Sequence, residues 1–438
     1  MDPDLRSSKM NRLTRHARSL IAGAGALTLG FGLSACGGES DGDNVVLTMA
    51  MMNTYQGGFE ELIAEFEEEN PGIVIEPSYY SADTYDHTVP TQFSGGSGSD
   101  LVYVDAGSGT QSVKRMGGAG WLADLSDQPW VDTLYPATAD GYQIDGKTYG
   151  RDFGISALAV LLYDKDYFAE KGLTPPETFE TLLEMCGTIS ADGKTPISMA
   201  GGSGAVDFND VVSMAGNTVL GPEQDWLDRR YAGEVTFAGT AGWEEALGQL
   251  QQLNEAGCFS PGVASINLDQ MLTDMGSRQA TMMFTYGGLI APVLQQTPDL
   301  NVGMFSPPAP AGSETWLTAQ ASGGIAVWSK SKHPDEARRF VVFVSQEDKL
   351  RQLASTNVLI SPIDAATGDL PEAYAELAPY FEADKVISAM VTSLPDSTKV
   401  TDDSGAAIQG LWTGQSDIPA ILAAFDRSFD EAAEKANE

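Results

Sequence analysis

The chain has 438 residues, with 61 acidic against 25 basic side chains and a formal charge of -36. So acidic a surface disfavours nucleic acid and anionic lipid as partners, and is otherwise accounted for by solubility alone. The length predicts two or three domains, with cores that need no metal or disulfide support.

In chain order, the first segment has the three parts of an export signal. Lys9, Arg12, Arg15 and Arg18 are the charged part, Leu20 to Leu33 the apolar part, and small residues precede Cys36. The apolar stretch is shorter than the roughly 18–20 residues of a spanning helix. The other reading is a core helix of a cytosolic protein. Leu33-Ser34-Ala35-Cys36 resembles the lipobox of bacterial lipoproteins. That resemblance implies a signal peptide over 1–35 and acylation of Cys36. The soluble part would then sit on the outer face of the cytoplasmic membrane. Residues 1–35 hold five basic and two acidic residues, so the remainder stands at -39. Residues 36–44 are rich in Gly, Ser and Asp and read as a flexible tether. With Cys36 taken by lipid, Cys186 and Cys258 are left as an even pair. They are either a disulfide or two separately buried thiols.

Val45 to Met51 is apolar but for one Thr, which predicts a buried strand. Phe59, Leu62, Ile63 and Phe66 recur at helical spacing, and Asn70-Pro71-Gly72 ends that helix. Ile73 to Ile75 begins another strand, completing a β-α-β unit. Gly95 to Ser99 is a loop, Leu101 to Val104 a short buried strand, and a helix starts near Gln111 after a Gly-rich turn. Leu158 to Tyr163, Ala280 to Phe284 and Ile325 to Trp328 read as strands buried on both faces. Pro176 lies near the first turn of a helix over 177–186. Pro334 takes the first position of a helix whose stripe is Ala337, Phe340, Val341 and Val344. This alternation predicts an α/β architecture with mostly parallel sheets. In such sheets ligands bind beyond the carboxyl ends of the strands.

The sequence gives little support to catalysis. His16 belongs to the export signal, and His87 and His333 are isolated. No zinc, calcium or Walker A spacing occurs. Ser97 and Ser203 fail a G-x-S-x-G pattern at Ser99 and Ala205. No carboxylate pair is marked for glycoside hydrolysis. The chain reads as a binding protein without cofactor or metal, against the alternative of a secreted glycoside-processing enzyme. Its strand ends carry aromatics, short hydrogen-bonding groups and glycines: Asn53 to Gln56, Asp105 to Thr110, Arg151 to Gly154, Tyr286 to Gly288, Trp316, and Ser322 to Gly324. Aromatic rings match the C–H faces of a sugar, and polar groups match its hydroxyl rim. Each position also has a plain structural reading. The glycines can serve turn geometry, Arg151 and Asp152 can pair at the surface, Tyr55 and Tyr286 can be core edges, and Trp316 can pack under a loop.

In this order the motifs resemble those of bacterial extracellular solute-binding proteins of ABC importers, the carbohydrate class typified by maltose-binding protein. FEELIAEFEEENPG (59–72) is similar to the family's first helix and its ending. GSGSDLVYVDAG (98–109), DGKTYG (145–150), LLYDK (161–165) and LTPPETF (173–179) resemble later segments. So do RQATMMFTYGG (278–288), SGGIAVWSKS (322–331) and IQGLWTGQ (408–415). Ser99, Phe179 and Gly288 depart from the family's usual Pro, Trp and aromatic. The resemblance implies a two-lobe, type II-like fold with the ligand between the lobes. One lobe would be 44–154 plus 320–361, the other 155–319 plus 362–438. It implies sugar contacts from Tyr55, Gln56, Ser108, Arg151, Asp152, Phe208, Asn209, Tyr286 and Trp316. The backbone N–H groups of Gly287 and Gly323 would add donors, with Trp412 in a weaker role. The implied partners are a carbohydrate and ABC permease subunits, with the chain a monomer. A polyamine or other small cationic solute held by Asp105 and Asp152 is the alternative ligand.

Overall fold

The computed structural model describes residues 44–438 except Ser108, 286–288, Val358, 368–369, Pro371 and 437–438. The signal, the tether and Cys36 therefore lie outside the described residues. Residues 43–438 form one compact unit.

The strands, in chain order, are β1 (Val45–Met52), β2 (Ile73–Tyr80), β3 (Leu101–Val104), β4 (Gln143–Ile144), β5 (Lys147–Thr148), β6 (Arg151–Asp152) and β7 (Ile155–Ala157). They continue as β8 (Val160–Asp164), β9 (Thr195–Ser198), β10 (Ala280–Thr285), β11 (Val302–Phe305), β12 (Leu317–Ala321), β13 (Gly324–Val327) and β14 (Val386–Ser388). A five-stranded sheet runs β2-β1-β3-β13-β6. β1 pairs in parallel with β2 from Val45↔Ile73 to Met52↔Tyr80, and helix Gln56–Glu69 makes the crossover between them. Its stripe of Phe59, Leu62, Ile63 and Phe66 is buried as its spacing predicts. It meets the stripe of helix Pro334–Val344, where the Phe66 ring stands 5.0 Å from Phe340 and 5.4 Å from Phe343. Two segments about 270 residues apart, each amphipathic, thus bury each other's apolar face.

The second large sheet runs β11-β8-β10-β9. Leu161, Tyr163, Met282 and Phe284 project into one core, while Val160, Leu162 and Met283 project into another. This period-2 alternation lets one sheet serve two apolar layers, which is why these strands read as continuously hydrophobic. The disulfide Cys186–Cys258 staples helix Phe179–Ala191 to the segment beside β9, with Cα atoms 5.1 Å apart.

The sheets are mixed rather than mostly parallel. β13 is antiparallel to β3 and β6, and β8 is antiparallel to β10 and β11. Neither β13 nor β8 follows a helical crossover. Each enters its sheet within a few residues of the linking strands, which leaves its direction free. Helix Phe179–Ala191 also starts later than the prolines suggest. Thr178 caps it, exchanging side-chain to backbone bonds with Thr181 at 3.3 and 3.1 Å, and Pro176 lies before the cap.

A small sheet, β14-β12-β7, joins the two larger ones. β12 pairs antiparallel with β7, and Ile155 exchanges backbone hydrogen bonds with Ile360 at 2.8 and 3.0 Å. The first core is built from residues 47–153, 321–327 and 337–359, and the others from Tyr135, 155–319 and beyond 359. The chain passes between the cores at these linking strands.

Candidate functional site

The site begins where β1 ends. Tyr55 follows the strand in a single turn that also starts the first helix, and this turn aims the ring at the first core's edge. The ring stands edge-on to Phe153 at 5.0 Å and tilts over Tyr103 at 5.8 Å. Its hydroxyl donates to the carbonyl oxygen of Ser322. Burial holds the phenols of Tyr55 and Tyr103 protonated far above the usual range. Gly323 makes this packing possible. Its φ is +133°, and a Cβ there would stand 2.6 Å from Tyr103 Cε2 and 2.8 Å from the Tyr55 hydroxyl. No side chain fits that conformation and that space together.

Above this aromatic floor opens a cleft of about 1670 Å³. One wall is the turn after β3 and the helix Val113–Gly118. The opposite wall is the segment 391–398 and the start of helix Ser397–Trp412. Gln320 and Ser322 lie at the root, on and beside the linking strand β12. The walls come close at one point, where a Cβ on Gly107 would stand 3.6 Å from the carbonyl oxygen of Thr392. Asp105 supplies the cleft with a carboxylate whose Oδ1 accepts the Gly107 N–H at 2.9 Å. Burial, reinforced by the nearby Asp86 and opposed by the Gly107 bond, pushes Asp105 up to about 6. A half-desolvated carboxylate beside two tyrosine rings combines hydroxyl acceptor and apolar platform. Tyr231, 48% exposed, also lines the cleft and donates to the Ser393 carbonyl at 2.7 Å.

Of the residues expected at the site, Tyr55 lies on the cleft and Gly323 directly beneath it. Gln56 is exposed and turned along its helix, donating to Glu60 at 2.7 Å. Arg151 and Asp152 are both fully buried and joined at 2.7 Å, with the guanidinium carbon 5.6 Å from the Trp130 ring centroid. They are neither a surface pair nor part of the cleft lining, so the polyamine alternative keeps Asp105 and loses Asp152. Phe208 is fully buried against Phe425 at 5.3 Å, and Asn209 is half-buried on the same helix. Trp316 lies on the bare face of Gly221. Trp412 is half-buried and donates its indole N–H to Asp207 at 3.1 Å. Ser108, Tyr286 and Gly287 lie outside the described residues. The sequence pattern does not mark Gln111, Lys114, Gln320, Tyr231 or the 391–398 segment, and it places Asp105 among the polar strand ends while naming it as a contact only for a cation. Asp105 had a signal, its place directly after a buried strand. The 391–398 segment had none, because no aromatic or glycine marks it.

Separate α/β cores with a polar, tyrosine-floored cleft between them are the geometry of a solute-capturing protein. Residues 53–349 match the family model of bacterial extracellular solute-binding proteins, and the chain belongs to that family. A Brucella abortus protein classed as a binding protein is 24% identical over 420 residues, covering 90% of this chain and 95% of that one. The melibiose/raffinose/stachyose-binding protein MelE of Bacillus subtilis is 22% identical over 368 residues, 81% of this chain and 83% of that protein. Among solved structures, apo RafE from Streptococcus pneumoniae superposes with a TM-score of 0.72 at 18% identity, over 91% of this chain and all of that one. A sugar transporter of Bacillus licheniformis in complex with stachyose gives 0.66 at 19%, over 89% of this chain and all of that one. These likenesses establish the two-lobe fold, and the family is one of binding proteins rather than enzymes.

Proposed function

We propose that the chain is the substrate-binding component of an ABC sugar importer. It captures a mono- or oligosaccharide in the cleft by lobe closure and delivers it unchanged to the membrane permease. The lobes are 44–154 plus 320–361 and 155–319 plus 362–438, a division the separate cores support except at Tyr135 and Ile360, which pack with the second lobe. The observation that carries the reading is the floor: Tyr55 and Tyr103 form an aromatic platform beside the Asp105 carboxylate, at the root of a cleft between two cores. A ring face and an adjacent acceptor match the C–H face and the hydroxyl rim of a sugar. The names of the relatives, which include binding proteins for melibiose, raffinose and stachyose, support carbohydrate as the class. Closure follows differential affinity: a ligand that touches both walls favours the closed arrangement. Acylation of Cys36 would hold the monomeric chain beside its permease.

Calorimetry against raffinose, stachyose, xylo- and chito-oligosaccharides tests this, with spermidine as control. At least one saccharide is expected to bind, with a smaller radius of gyration on binding and loss of about tenfold or more in Tyr55→Ala. Binding of spermidine alone, or release of hydrolysis products, defeats the reading.

A further inference from the structure

Each wall of the cleft carries exposed charges without an ion pair among the described residues: two bases on one side, which also holds Asp105, and Asp402 with Lys435 on the other. Helix Val113–Gly118 presents Lys114 and Arg115, both exposed and both lining the cleft. Across from them, helix Ser397–Trp412 presents Asp402, also exposed and lining the cleft. None of the three has an ion-pair partner among the described residues. Their neighbours do. Lys399, one turn before Asp402, pairs with Asp403 and with Glu431 at 3.1 Å, and Lys147 pairs with Asp124 at 3.0 Å.

Closing two acidic bodies against each other is opposed by their mutual repulsion. Opposite charges placed on the facing walls reduce that repulsion only when the walls meet. The walls already approach at their inner end, where Gly107 faces Thr392, and helix Val113–Gly118 begins six residues beyond Gly107. Closure about the linking strands β7 and β12 would bring the outer residues nearer.

We propose that Lys114 and Arg115, with Asp402, form an electrostatic latch. It sets the balance between the open and closed arrangements, and hence the affinity of the site, without touching the ligand. The proposal rests on the closure described under Proposed function. The competing assignment is that the two bases hydrogen-bond the ligand directly, and charge exchange separates the two.

The test uses the purified chain with raffinose and stachyose as neutral probes. Lys114→Glu with Arg115→Glu is expected to weaken binding roughly tenfold at low ionic strength, an effect that shrinks in about 0.5 M salt. Adding Asp402→Lys to that variant is expected to restore most of the affinity. Independently of any ligand, a Lys114→Cys and Asp402→Cys pair in a Cys36→Ser background should be joined by a short bis-maleimide cross-linker, whose reach matches a lysine–aspartate pair better than a direct disulfide, which requires Cα atoms within about 7 Å. Undiminished affinity in the reversed variant overturns the latch. So does a loss that Asp402→Lys does not restore, which assigns the bases to ligand contact. If wild-type chain binds neither sugar, the carbohydrate reading fails for these probes and the cross-link alone decides: its absence overturns the latch.

Discussion

Trp412 donates its indole N–H to Oδ2 of Asp207 at 3.1 Å, so this tryptophan is committed to the protein rather than to a ligand. The acceptor sits on helix Gly204–Ala215, packed against helix Ser397–Trp412 where Gly204 meets Gly405. Burial pushes the Asp207 carboxyl up to about 8, and pushes the neighbouring Asp210 far above its usual range.

That shift has a definite sign. Below about pH 4 the Asp207 acid is protonated in both folded and unfolded chains. Between that point and about 8 only the folded chain keeps the proton, so stability from this group is lost as pH rises through the window. Asp207→Asn keeps an acceptor for Trp412 and carries no charge to desolvate. At pH 8 it should be more stable than wild type by roughly 1–3 kcal/mol, with the gain vanishing near pH 4. Thermal melts of both proteins across that range check this. A gain independent of pH would rule out the titration.

Arg151 and Asp152 form a fully buried pair. Arg151→Ala or Asp152→Ala alone leaves an uncompensated charge and should cost about 3–5 kcal/mol. Replacing both, as Arg151→Met with Asp152→Leu, should cost far less. Urea unfolding of the three variants measures the difference. Because neither residue lines the cleft, the folded double variant should keep its ligand affinity.

Gly323→Ala should place a methyl group between Tyr103 and the Tyr55 hydroxyl in a backbone conformation alanine avoids. The expected loss is roughly 1–3 kcal/mol of stability, together with weaker ligand binding, because the tyrosine floor must shift. Gly312→Ala, at φ +90° with no atom within 4 Å of the added Cβ, separates the two causes. It should lose stability from backbone strain alone and leave affinity unchanged.

The Cys186–Cys258 disulfide closes a span of 72 residues inside the second body. Its replacement by paired alanines should lower stability by about 2–4 kcal/mol. Melting with and without a reductant gives an independent value. A reductant effect that persists in the double variant would assign the loss elsewhere.

Local features were legible in the sequence because local rules govern them. The helix stripe at Phe59, Leu62, Ile63 and Phe66 and the proline start at Pro334 need only their neighbours. The sheet direction of β13 was not legible, since it depends on how the chain re-enters from the linking strands. The site residues divided along the same line. Tyr55 sits at a strand end and could be expected there. Phe208 carries the same aromatic signal, yet its helix turns it into the core against Phe425. Tyr231 carries no stronger signal and is the one left exposed at the rim.

By itself the sequence determined the amphipathic periodicities, the surplus of negative charge and much of the order of strands and helices, because these follow from composition or from residues a few positions apart. Only the tertiary structure decided which side chains share the cleft. Tyr55, Asp105, Gln320 and Asp402 come from turns, strands and helices up to some 350 positions apart. Whether a polar or aromatic residue meets solvent in that space or is sealed against another helix is set by packing between segments, which no local pattern encodes.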